Sequence, residues 1–227
     1  MISQEPLRFL FIGNSATYVH EIPQTLARLA GEVGHNIETA QITPGGYELA
    51  MHADLSTEHG KMVFKEIAKG YDAVFLQDNG NCISSEAKSG ACAVASARLI
   101  NAIRQSGAKP YFYVRPPYGK DCAGFPSLEQ CKKFDLLFSK IAEQNGDISC
   151  VYANRAFAHA IKTLDYNLWG DDNAHTSKHG AFLIVCAFFA TLFRSSSTCL
   201  SPENIDSADA LALAQAADEA VFDKLIP

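Results

Sequence analysis

Charge is scarce in this chain, and basic charge scarcer. Of its 227 residues 19% are charged, with 19 Lys and Arg against 25 Asp and Glu, for a net charge of −6. No run of Lys or Arg is present, so the electrostatic footprint needed to bind nucleic-acid phosphate or an anionic membrane surface is missing. The seven cysteines (Cys82, Cys92, Cys122, Cys131, Cys150, Cys186 and Cys199) include no CxxC pair. Their odd number and irregular spacing argue against a disulfide framework and against a zinc site, and leave most of them as small buried hydrophobes. Long apolar runs are missing too. The longest, Ala181–Phe193, has 13 residues, where a membrane span needs about 20, so a buried core helix is expected there. The opening Met1-Ile2-Ser3-Gln4-Glu5-Pro6 has no basic segment, and Leu7–Ile12 is too short for the apolar part of a secretion signal. The expected compartment is therefore the cytoplasm, or the exterior if a leader has been removed.

What is present is ordinary globular material: 48% hydrophobic residues with 15 Gly and 9 Pro. A chain of this length buries roughly 70% of its unfolded surface and needs no staple. At roughly 100–200 residues per domain, and without a linker or repeat, residues 1–227 read as one domain.

Short apolar runs alternate with helical stretches, the pattern of βαβ units around a parallel sheet. Leu7–Ile12 reads as a strand covered on both faces. Ile22–Val33 follows with helical spacing, Pro23 in its first turn and Gly34 as its stop. A strand over Asn36–Ile42 is weaker. Leu49–Ala68 is helical, in one piece or two. Tyr71–Leu76 is the clearest central strand, followed by helix Ala87–Gln105 and strand Pro110–Val114. Then come helix Leu128–Gln144, strand Ile148–Tyr152, and helices over Arg155–Thr163, Ala181–Phe193 and Ala208–Lys224. Five strands with helices between them predict a three-layer α/β domain. Ligands in such sheets sit outside the carboxyl ends of the strands, at a topological switch point. That rule directs attention to Gly13-Asn14-Ser15, Gly45-Gly46, Gln77–Asn81 and Arg115–Gly119. Gly45-Gly46 is no phosphate loop, because no GK[ST] follows it.

Ser15 stands just past the first strand, where its hydroxyl reaches the carboxyl edge of the sheet and its own N–H opens the next helical region. It is a candidate nucleophile or, more simply, a cap or turn residue. Asp172 and His175, three residues apart, precede the most apolar helix. That spacing lets a carboxylate accept the imidazole Nδ1–H and leave Nε2 free as a base toward a serine. A polar helix entry with an exposed His175 is the plainer reading. His175 and His179 also have the i, i+4 spacing of metal ligands, but the position after the first His, where the metalloprotease motif needs Glu, is Thr176.

Together these stretches resemble the GDSL/SGNH hydrolase superfamily. Leu10-Phe11-Ile12-Gly13-Asn14-Ser15 is similar to its first block, with Asn14 where Asp is more usual. Gly45-Gly46 is similar to the second-block glycine, and Tyr71–Gln77 to the third strand. Asp172-Asn173-Ala174-His175 is similar to the closing DxxH, with Ser177 and Gly180 fitting its HxSxxG continuation. More narrowly, Phe11–Ser15 with Thr17-Tyr18 and Pro23, and the Leu76-Gln77 ending of the third strand, resemble a bacterial branch labelled domain of unknown function 4886.

The resemblance implies a flavodoxin-like three-layer α/β/α sandwich with a central, mostly parallel five-stranded sheet, spanning residues 1–227. It also implies a cofactor-free serine esterase acting on a small-molecule ester, with O-acetyl on carbohydrate favoured. Ser15 would be the nucleophile, His175 the base and Asp172 its orienting partner, with Asp171 next door as the alternative. The oxyanion hole would use the N–H groups of Ser15 and Gly46 and a side-chain amide. The usual third block, GxND, reads here Gln77-Asp78-Asn79-Gly80-Asn81, so that amide is Gln77, with Asn79 and Asn81 as alternates. Arg115 and Tyr118, after the fourth strand, are candidate substrate contacts. The competing reading is a non-catalytic ligand-binding module on the same fold.

Overall fold

The computed structural model describes residues 5–119 and 127–223. Five strands, β1 (Leu7–Ile12), β2 (Ile37–Ile42), β3 (Ala73–Leu76), β4 (Lys109–Val114) and β5 (Ser149–Tyr152), form one sheet in the order β2-β1-β3-β4-β5. Every pairing is parallel, so the sheet is wholly rather than mostly parallel, in the order of flavodoxin-like folds. The helices are α1 (Ser15–Tyr18), α2 (Ile22–Glu32), α3 (Leu49–His52), α4 (Glu58–Ile67), α5 (Glu86–Gln105), α6 (Ser127–Gln144), α7 (Ala153–Thr163), α8 (Lys178–Phe193) and α9 (Ser207–Phe222).

Side chains alternate across each strand and feed two cores. Phe9, Phe11, Phe75, Tyr113 and Val151 face the layer of α2, α7, α8 and α9. Leu10, Ile12, Val74, Leu76, Phe112 and Val114 face the layer of α3, α4, α5 and α6. This two-sided burial is why Phe9–Ile12 of the first strand and the whole third strand are continuously apolar rather than alternating. The residues Gly180–Ala190 of α8 are buried all round, as a helix inside a core must be. No described helix is long and apolar enough to cross a membrane.

The elements follow the sequence reading closely, with instructive departures. Leu49–Ala68 is two helices. Asp54 turns the chain by accepting the Ser56 N–H through Oδ1 at 3.0 Å, and Thr57 caps α4 by accepting the Gly60 N–H at 3.0 Å. Between β1 and α2 lies α1, a single turn that pattern reading misses because four residues carry no periodicity. A 3₁₀ turn, Val19–Glu21, follows it, with His20 and Glu21 in the left-handed region at φ 59° and 51°. Cys122, most of the Tyr118–Ser127 loop and the expected helix end at Lys224 lie outside the described residues.

The strand order reverses around β1, which has β2 on one side and β3 on the other. The carboxyl ends of β1 and β3 therefore flank the switch point, and Ser15 and Gln77–Asn79 emerge there.

Candidate active site

The turn after β1 is held from several sides. Asn14, 3% exposed, caps α1 by accepting the Ala16 N–H at 3.0 Å and donates from Nδ2 to the Tyr47 carbonyl at 2.8 Å. Its own N–H donates to Gln77 Oε1 at 3.0 Å, and the Thr17 hydroxyl donates to the same oxygen at 2.9 Å. Ser15 follows as the first residue of α1, half-buried. Its hydroxyl and its backbone N–H both go without a hydrogen bond to any described residue. The adjoining loop after β2 carries Gly46, at φ +76°, a conformation that favours glycine. Gly46 N–H likewise donates to no described residue. Asn79 Nδ2 donates to the Gly46 carbonyl at 3.0 Å. The N–H groups of Ser15 and Gly46 and the amide of Asn79 thus belong to one cross-linked cluster.

The three candidate amides separate clearly. Gln77 is 1% exposed and its Oε1 is taken twice, while its Nε2 donates to the Asp78 carbonyl. It is an internal strut of the Gly13–Ser15 turn. Asn79 sits between the Gly46 loop and Tyr118, whose hydroxyl donates to Asn79 Oδ1 at 3.5 Å. Asn81 is exposed and opens away into a 3₁₀ turn, Gly80–Ile83. Asp78, 3% exposed, accepts from the N–H groups of Leu49 at 2.8 Å and Asn79 at 2.7 Å. It thereby anchors both α3 and the Asn79 backbone. Burial pushes its carboxyl above the usual range.

In the loop between α7 and α8, His175 Nδ1 lies 2.6 Å from Asp172 Oδ2. A carboxylate only accepts, so Nδ1 carries the proton and Nε2 is left as the basic nitrogen. Asp172 Oδ1 accepts the N–H groups of Ala174 at 3.0 Å and His175 at 2.9 Å, closing a tight turn with Asn173 at φ 51°. The His175 N–H, ahead of the imidazole and the Ala174 N–H, holds the Asp172 carboxyl down to about 2. Ser177 caps α8 at the Gly180 N–H and donates to the Asn167 carbonyl at 2.7 Å. Gly180 is pressed against the Leu168 carbonyl, where a Cβ would collide. The HxSxxG pattern is therefore the mechanics of a helix entry. His179 turns away, 3.4 Å from Asp209 and stacked on Tyr166, so it does not join His175.

Three ties bring the His175 loop to the Ser15 edge. His20 Nε2, five residues after Ser15, donates to the Thr176 carbonyl at 2.8 Å. Gly119 N–H donates to the Asn173 carbonyl at 2.7 Å, and Trp169 Nε1 to the Pro117 carbonyl at 3.0 Å. Ser15 and His175 share the edge without hydrogen-bonding to each other.

Arg115 is 4% exposed. Its Nε donates to the Pro116 carbonyl at 3.0 Å, and its guanidinium stacks 3.9 Å from the Tyr118 ring centroid. It packs behind Tyr118, while Tyr118 faces the site. No motif or spacing in the sequence marks His52. It is fully buried on α3, with Nε2 2.9 Å from the Gly13 carbonyl and Nδ1 3.0 Å from His59 Nε2. The available signal was a histidine three residues after Leu49, on the buried face of a short helix.

No protein-family model matches the chain, and no curated protein is detectably similar to it in sequence. Solved structures are similar in fold. A DUF4886 family protein from Bacteroides uniformis superposes with a TM-score of 0.83 at 17% identity, covering 96% of this chain and 95% of that one. A protein assigned to the SGNH hydrolases, from Slackia heliotrinireducens, gives 0.69 at 24% identity, covering 83% of this chain and 100% of that one. The acetylxylan esterase Axe2 from Geobacillus stearothermophilus gives 0.61 at 17% identity, covering 84% and 96%. At these identities the likeness establishes architecture, and this chain has the α/β/α fold that an SGNH hydrolase, a DUF4886 protein and acetylxylan esterases share.

Proposed function

We propose that this protein is a serine esterase that removes a small acyl group, acetyl foremost, from a hydroxyl-bearing substrate of the carbohydrate class. The observation that carries this reading is the 2.6 Å pair of His175 Nδ1 and Asp172 Oδ2, on the sheet edge where the Ser15 hydroxyl and N–H are uncommitted. Acetylxylan esterases on the same fold support the acyl group and substrate class.

In this reading His175 Nε2 takes the Ser15 proton as Oγ attacks the ester carbonyl, and the alkoxide oxygen of the tetrahedral intermediate becomes the oxyanion. Asp172 holds the imidazole in the required tautomer and stabilises the imidazolium. The N–H groups of Ser15 and Gly46, with Asn79 Nδ2 as third donor, receive the oxyanion. Asn79 takes this role in preference to Gln77 because Gln77 is buried and engaged within the turn. His175 then returns the proton to the leaving alcohol, and water repeats the sequence on the acyl-serine. The reaction needs ester and water alone.

One observation favours a non-catalytic binding module on this fold: Ser15 Oγ makes no hydrogen bond to His175. Catalytic contacts in unliganded sites are commonly long and tighten with substrate, so the esterase reading stands as the better one. Labelling with a fluorophosphonate, with the adduct located by mass spectrometry, decides between them. Adduct on Ser15 that is lost in His175→Ala supports the esterase. Absence of adduct under conditions that label a control serine esterase favours the binding module.

A further inference from the structure

The peptide group joining Gly13 to Asn14 is gripped at both ends. Its N–H donates to Gln77 Oε1 at 3.0 Å, and its carbonyl receives His52 Nε2 at 2.9 Å. A carbonyl only accepts, so His52 Nε2 carries hydrogen. A neutral imidazole then has a lone pair on Nδ1. That lone pair faces His59 Nε2 at 3.0 Å, which must therefore donate. One chain of hydrogen bonds, from His59 through His52 to the Gly13 carbonyl, has every proton assigned.

The surroundings favour this arrangement. His52 is fully buried, and burial brings its pKa down to about 4, so it stays neutral and its Nδ1 can accept. The Tyr47 ring lies 5.4 Å from His52 and 4.7 Å from His59, and the Tyr47 carbonyl accepts from Asn14 Nδ2. The same cluster thus fixes both the peptide before Ser15 and the side chain that caps α1.

We infer that His52 and His59 are a positioning pair for the nucleophile: His52 locks the Gly13–Asn14 peptide plane against Gln77, and His59 locks the tautomer of His52. The inference rests on Ser15 being the nucleophile. Rotating that peptide plane moves the Ser15 N–H and Oγ together, which are the two atoms that must meet one ester carbonyl. Geometry of this kind is costly to lose, since a displacement of about 1 Å can cost on the order of a hundredfold in rate.

The experiment measures kcat and KM on a soluble acetate ester, and the rate of Ser15 labelling by a fluorophosphonate, in wild type, His52→Phe, His52→Gln and His59→Phe. His52→Phe keeps the ring and removes the donor, and is expected to lower kcat about ten- to a hundredfold with KM little changed. His52→Gln, whose amide nitrogen reaches the same carbonyl, is expected to recover most of that loss. His59→Phe is expected to lower kcat by a smaller factor. A folded His52→Phe with wild-type kcat, or a His52→Gln no better than His52→Phe, overturns the positioning pair. Long-range 1H–15N correlation of the wild-type imidazoles tests it without any variant and so survives a His52→Phe that fails to fold. His52 protonated on Nε2 alone at neutral pH is expected, and Nδ1 protonation overturns the assignment. Wild type that neither labels at Ser15 nor hydrolyses the ester overturns the esterase reading itself, before any variant is compared.

Discussion

Gln77 Oε1 lies 3.0 Å from the Asn14 nitrogen and 2.9 Å from the Thr17 hydroxyl, so the side chain that ends β3 holds the turn that ends β1. The strand ends flanking the switch point are thereby joined by a side chain that is 1% exposed. Replacing Gln77 by Leu leaves a buried N–H and a buried hydroxyl without an acceptor, at about 1–3 kcal/mol for each unsatisfied group. Gln77→Leu is therefore expected to unfold at lower urea. Asn79→Ala, half-buried at the rim, is expected to keep wild-type stability and lose about 10²–10³ in kcat as an oxyanion donor. Urea unfolding and ester hydrolysis on both variants check this. A stable, inactive Gln77→Leu together with an active Asn79→Ala reverses the two roles.

Asp171 and Asp172 are neighbours, and their geometry separates them. Asp172 contacts the imidazole and closes the turn that carries it, whereas Asp171 is an exposed turn residue. Asp172→Asn preserves the shape and turns an acceptor toward Nδ1 into an amide, which favours the wrong tautomer. In a Ser-His-Asp site such a change costs about 10⁴ in kcat. Asp171→Asn is expected to leave turnover within a few-fold of wild type. Steady-state hydrolysis of one acetate ester by both variants is the measurement, and equal losses would refute the assignment of Asp172.

The centre of the sheet was legible because its strands are buried on both faces, and Phe9–Ile12 and Ala73–Leu76 are unbroken apolar runs, whereas the edge strand β2, half-exposed, gave a weaker pattern. Ser15, Gly46, Asp172 and His175 could be singled out because each follows a strand end or sits in a short local motif. Among the candidate oxyanion amides the sequence allows no choice. Gln77, Asn79 and Asn81 are chemically alike, and only burial and partners separate them. His52 was invisible for a different reason. Its partners, Gly13 and His59, are brought to it by the packing of α3 and α4 against the β1 turn, and no spacing in the chain encodes that meeting. Arg115 shows the converse limit: a strand-end arginine reads equally as a substrate contact or a structural hydrogen-bonder, and its 4% exposure and stacking on Tyr118 appear only in the fold.

Burial of His52 has a signature in the pH dependence of stability. Its pKa falls from the ordinary 6.5 to about 4 in the folded protein. Between those values the unfolded chain holds a proton that the folded chain lacks, so the free energy of unfolding rises with pH across that window and levels off above it. The full effect is on the order of 3 kcal/mol. His59 shifts in the same direction, for the same reason of burial. Asp172, lowered to about 2, gives its full stabilisation above the ordinary carboxylate range and adds a slope only at more acidic pH, where stability falls further as the carboxyl protonates. Urea unfolding of wild type is expected to show clearly lower stability at pH 4.5 than at pH 7, with most of that difference gone in His52→Gln. Parallel profiles for the two proteins would assign the slope to other groups.

The closeness of the Gly13–Ser15 turn to Gln77 can be probed with a single methyl. A Cβ at Gly13 would lie 2.6 Å from Gln77 Oε1 and 2.7 Å from Thr17 Oγ1. Both atoms are committed to the hydrogen bonds that hold the turn, so neither can yield without breaking one. Overpacking of this kind costs about 1–3 kcal/mol, and the displaced turn carries Ser15 with it. Gly13→Ala is expected to lose both stability and turnover. Gly90, exposed within α5, is the control, because a Cβ there meets nothing within 4 Å. Gly90→Ala is expected to raise stability by about 0.5–1 kcal/mol through helix propensity alone, with activity unchanged. If Gly13→Ala instead matched wild type in urea and in kcat, the turn would have room that the Gln77 and Thr17 contacts deny it, and the two-sided grip on the Gly13–Asn14 peptide would have to be abandoned.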